Sequence, residues 1–113
     1  MKALLIDARW CYGCHGCELA CQTEHGMKVG ENGIVVTQIG VWPYEDKGGA
    51  EKWQHSYLPV PTDQCDACAA RTSEGELPTC VKHCFANCLR FGEVEELAKG
   101  LTDAKQCLYV IEK

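Results

Sequence analysis

At 113 residues the chain suffices for one small domain, 1–113, whose core is too small to be generously stable without internal staples. Sixteen acidic against eleven basic residues give a net charge of −5, and the basic ones are scattered, which excludes a nucleic-acid or anionic-membrane footprint. Ten cysteines in so short a chain reach the density at which sulfur chemistry organises a fold.

The first element, Lys2 to Asp7, reads as a short apolar strand. Its run is far shorter than the ~18 residues of a membrane span, so no direct membrane insertion is expected. Asp7 also cuts it below the ~7–15 residues of a secretory leader. A cytoplasmic, reducing location follows as an expectation, with export left open as a passenger on a signal-bearing partner.

The strand feeds CYGCHGCELAC, in which Cys11, Cys14, Cys17 and Cys21 are spaced C-x2-C-x2-C-x3-C. Its opening, C-x-x-C-H, is also the attachment signature of a c-type haem. Haem attachment needs an oxidising maturation route and leaves eight cysteines unexplained, while disulfide frameworks belong to oxidising compartments. Glu18 to Glu24 reads as a helix stopped near His25-Gly26. Ile34 to Trp42 and His55 to Val60 are β-rich and flank the turn-prone EDKGGAEK, predicting a hairpin.

The second cysteine group follows: Cys65, Cys68, Cys80 and Cys84, spaced C-x2-C-x11-C-x3-C. The two groups share one skeleton, and the second carries nine extra residues before its third cysteine. Pro78 to about Ala86 reads as a second helix, Leu89-Arg90-Phe91 as a strand, Glu93 to Lys99 as a helix ended by Gly100, and Cys107 to Ile111 as a last strand. Strand, loop and helix thus occur twice, which predicts an α+β, ferredoxin-like, pseudo-twofold dicluster fold with a β-hairpin inserted between the motifs.

A zinc site would close on four ligands and make no use of the C-x3-C extension in each half. Two [4Fe–4S] clusters use eight thiolates at this spacing, and the fourth cysteine of each run binds the other cluster. It lies about one helical turn beyond the third, so its sulfur points away from the first cluster. Carried onto this sequence, one cluster takes Cys11, Cys14, Cys17 and Cys84, and the other takes Cys65, Cys68, Cys80 and Cys21.

RWCYGCHGCELACQTEHG, YLPVPTDQCDACAARTSEGELPTCVKHC and LRFGEVEELAKG resemble the iron–sulfur electron-transfer subunits of the dimethyl sulfoxide reductase family. The resemblance covers both motifs and their flanks, most of the chain outside 27–53. It implies a heteromeric relay serving a large catalytic subunit that carries a molybdenum or tungsten pterin cofactor. Two features depart from the family pattern. Its subunits usually carry four clusters, whereas this chain has cysteines for two. The second motif is usually followed by proline, where Phe85 stands here, and Cys84 and Cys88 form a further C-x3-C.

Among the remaining residues, Cys88 is expected beside a cluster without binding it, Cys107 in the core, and His15 as a spacer in the loop. The four histidines suggest no site of their own, and Trp10 and Tyr12 are expected to pack near Cys11. No phosphate loop or nucleophile constellation is present. The chain is therefore expected to be non-catalytic: a subunit relaying single electrons, or alternatively a free-standing dicluster ferredoxin acting as a soluble carrier. A regulatory protein sensing oxidants through its clusters is a third, weaker reading. The 43 residues between Cys21 and Cys65 favour the subunit. Trp42, Tyr44, Trp53 and Tyr57 lie there, serving either a partner interface or a hairpin that covers the domain's own core.

Overall fold

The computed structural model describes residues 1–113. It is an α+β domain with two antiparallel sheets. The elements in chain order are β1 (Lys2–Asp7), α1 (Gly16–His25), β2 (Ile34–Glu45), β3 (Glu51–Pro61), α2 (Ala69–Thr72), α3 (Thr79–Lys82), β4 (Leu89–Glu93), α4 (Val94–Ala98) and β5 (Gln106–Val110).

Strand β1 lies at the centre of a three-stranded sheet, between β4 and β5. A central strand covered on both faces needs an uninterrupted apolar run, and Ala3, Leu4, Leu5 and Ile6 are all buried. Alternation sends Leu4 and Ile6 into the main core with Leu89, Ile111 and four cysteines. Leu5 lies instead by Gly100, where an added Cβ would stand 3.1 Å from its Cδ2. The long antiparallel hairpin β2–β3 forms the second sheet. Asp46 shapes its turn, its carboxylate accepting from the N–H groups of Gly48 and Ala50 at 2.9 Å each.

Only the base of the hairpin reaches the core, through Ile34 and Val36, with Leu58 packed against them. From Trp42 to Trp53 it projects into solvent, with Trp42 and Trp53 52% and 62% exposed. The radius of gyration, 15.2 Å, accordingly exceeds the roughly 13 Å of a compact chain of this length.

Helix α1 ends as expected, at Gly26 with φ +58°, whose N–H donates to the Gln22 carbonyl. The second helix is shorter than the sequence predicts: α3 covers only Thr79–Lys82, and the chain then turns through Cys84 to Asn87. The helix ends at His83, with φ −101° and ψ 13°, and Asn87 further on adopts the left-handed conformation, φ +53°, in the turn that follows. The short helix α2 lies in the nine-residue insertion of the second motif, where no helical periodicity announces it.

Candidate metal centres

The two cysteine runs enter the fold in the same way. Strand β1 ends at Asp7 and Cys11 follows four residues later; strand β3 ends at Pro61 and Cys65 follows four residues later. In each run the third cysteine, Cys17 or Cys80, is the second residue of a helix, and α1 and α3 lie against each other. All ten thiols are free.

Two small, largely apolar cavities divide these cysteines. One is walled by Cys11, Cys14, Cys17, Cys84 and Cys88, with Val36, Pro59 and Leu89. The other is walled by Cys21, Cys65, Cys68 and Cys80, with Leu4, Ile34 and Pro78. The two runs are therefore crossed. Cys17 and Cys21, one turn apart on α1, face different cavities, and so do Cys80 and Cys84. The rise of an α-helix separates Cys17 and Cys21 by about 6 Å along the axis, so the two cavities are close neighbours.

Glycines let the loops close. Gly13 has φ +76°, and an added Cβ would stand 2.8 Å from the Tyr57 ring, so the first loop is clamped under β3. At Gly33 a Cβ would stand 2.5 Å from the Cys21 sulfur.

Burial acts in one direction on the most buried of these thiols. It pushes Cys17 up to about 12, despite the opposing backbone N–H of Glu18. It pushes Cys21 up to about 11, despite the N–H of Gly33. Cys68, Cys80 and Cys88 are raised for the same first reason, and for Cys80 the neighbouring Cys68, Cys17, Cys21 and Cys65 add to it. Soft sulfur donors converging in an apolar pocket, the most buried of them disfavoured as bare thiolates, are a donor set suited to a thiophilic metal centre.

His25 was not singled out by its sequence context, yet it sits between two of these sulfurs. Its Nδ1 is 3.8 Å from the Cys21 Sγ and 3.0 Å from the Cys21 carbonyl. Its Nε2 is 3.8 Å from the Cys68 Sγ and 3.0 Å from an Asp66 carboxylate oxygen. The only sequence signal was its position four residues after Cys21, on the same face of α1. His15, by contrast, turns the loop with φ +60° and contacts Glu18, as a spacer would.

Cys107 packs against the core and lines neither cavity. Tyr12 lines the first cavity beside Cys11 as expected, although 58% of it is exposed, whereas Trp10 does not line that cavity and is 61% exposed.

No protein-family model matches the chain. It is 30% identical over 95 residues to the probable anaerobic dimethyl sulfoxide reductase chain YnfG of Escherichia coli (strain K12), covering 83% of this chain and 33% of that protein. It is 30% identical over 97 residues to the B subunit of the anaerobic dimethyl sulfoxide reductase of the same strain, covering 85% of this chain and 34% of that one. Over most of its own length this chain is similar to these dimethyl sulfoxide reductase subunits. It spans about a third of their length. No helix of this chain is long and apolar enough to cross a membrane.

Proposed function

We propose that residues 1–113 form a dicluster domain that relays single electrons through two [4Fe–4S] clusters, to or from a large molybdenum- or tungsten-pterin catalytic subunit. The observation that carries this is the crossed division of eight cysteines between two apolar cavities. It is the pairing that the two-cluster spacing calls for. Cys11, Cys14, Cys17 and Cys84 would hold cluster 1, and Cys65, Cys68, Cys80 and Cys21 would hold cluster 2.

The topology supports a pseudo-twofold arrangement. Exchanging the halves carries β1 onto β3 and β4 onto β2, and both β1–β4 and β3–β2 are antiparallel pairs.

When bound, such clusters supply one-electron redox chemistry. The chain's own residues do three things for it. The cavity walls exclude water, which together with hydrogen bonds to sulfur sets the potential. The buried thiols give up their protons on loading, so loading and folding are coupled. Helix α1 holds Cys17 and Cys21 one turn apart, which fixes the clusters as near neighbours.

The partner is inferred from the relatives' being named as subunits of dimethyl sulfoxide reductase and from the projecting hairpin. A two-stranded hairpin is marginal alone in water. Its outer half carries exposed Val41, Trp42, Tyr44 and Trp53, the residue types from which interface cores are made. Anaerobic iron and sulfide analysis tests the reading: about eight of each per chain are expected. About four, or stoichiometric zinc, overturns it.

A further inference from the structure

The cavity of cluster 1 contains one sulfur more than four thiolate bonds use. Besides Cys11, Cys14, Cys17 and Cys84, its wall includes Cys88. The Cys88 Sγ is 3.5 Å from the Cys84 Sγ, and the Cys88 backbone N–H donates to the Cys84 Sγ at 3.4 Å.

The local chain creates this approach. Asn87, with φ +53°, donates its N–H to the Cys84 carbonyl at 3.1 Å and closes a tight turn. The turn folds Cys88 back over Cys84. Cys88 is then anchored at the start of β4, where its carbonyl accepts from the Asp7 N–H at 2.9 Å, and it is only 4% exposed. Cys84 sits on the turn itself and is more accessible. A buried cysteine is ordinarily a small hydrophobe, and the half-buried Cys107 packs against the core in that way, lining neither cavity. Cys88 instead presents its sulfur to the sulfur of a ligand inside the same pocket.

We infer that Cys88 is an alternative ligand for the iron position assigned to Cys84, and that the two cysteines exchange at it. This rests on the two-cluster reading. In the exchange, the iron–sulfur bond to Cys84 breaks and one to Cys88 forms. The Cys88 proton passes to the Cys84 sulfur, and no electron is gained or lost. The exchange keeps cluster 1 in place when the half-buried Cys84 is blocked or released.

The experiment compares the full chain with Cys84→Ala, Cys88→Ala, the double variant and Cys107→Ala, by iron and sulfide content and by electron paramagnetic resonance after reduction. About eight irons are expected in the wild type and in each single variant, with an altered cluster-1 signal in Cys84→Ala, and about four in the double variant. Cys84→Ala falling to about four, or the double variant keeping about eight, overturns the inference. A wild type with about four irons, or with zinc, overturns the two-cluster reading instead. Should Cys84→Ala not fold, iron release to a ferrous chelator decides. Cys88→Val, which keeps the buried volume apolar, is expected to lose iron several-fold faster than the wild type and Cys107→Ala, and equal rates overturn the inference.

Discussion

The ring of Tyr57 lies over Gly13 so closely that a Cβ at position 13 would stand 2.8 Å from it. Strand β3 therefore presses on the first cysteine loop, and the hairpin has a role at its base that is separate from its exposed tip. Gly13→Ala meets both the ring and a positive φ. A loss of about 1–3 kcal/mol is expected, read as a lower denaturation midpoint and faster cluster loss. Adding Tyr57→Ala should return the steric part but not the backbone part. If Gly13→Ala is neutral, the loop is not clamped in this way.

Cys21 belongs to the first run in sequence and to the second cavity in space. Cys21→Ala is expected to lower iron from about eight to about four per chain and to remove the signal of the cluster held by Cys65, Cys68 and Cys80. Thermal stability should fall with it, because that cavity lies within the core. Loss of the other cluster's signal would show that the crossed assignment is inverted.

His25 has a ring nitrogen 3.8 Å from each of the Cys21 and Cys68 sulfurs. A donor near a ligating sulfur stabilises the added negative charge of the reduced state. His25→Ala is expected to make that cluster's potential more negative by up to about 59 mV, a tenfold change in a one-electron equilibrium. Redox titration at fixed pH measures this, with iron content unchanged. An unchanged potential would remove His25 from the tuning of the site.

Trp42 and Trp53 stand on the outer half of the hairpin, away from both cavities. Trp42→Ser and Trp53→Ser, made separately, should therefore leave iron content intact. Co-elution with the proposed pterin-containing subunit is expected to weaken in at least one of them, at roughly 2 kcal/mol for an interface hot spot. Unchanged co-elution in both removes this segment from the contact. A chain that runs as a native monomer in cell extracts favours the free carrier.

The elements legible in the sequence were those with strong local signals. The apolar run of β1, the Gly26 stop of α1 and the turn around Asp46 are all dictated by neighbours along the chain, and each stands where its residues predict. The grouping of cysteines by spacing is equally local, since short runs of two and three intervening residues limit where each sulfur can reach. Other features depended on long-range contacts. The fold-back of Cys88 onto Cys84 follows from a left-handed Asn87 in the turn after α3 and from the bond between the Cys88 carbonyl and the Asp7 N–H at the end of β1. The placement of His25 beside Cys68 joins residues 43 apart. The exposure of the two hairpin tryptophans depends on how far β2 and β3 run past the core, and no residue within the strands encodes that distance. Spacing along the chain determined which atoms are available as ligands. The crossed sharing of sulfurs was already the expectation from that spacing, but only the packing of α1 against α3 brings the two runs, distant in sequence, onto the same pair of neighbouring cavities and sets the distances between them.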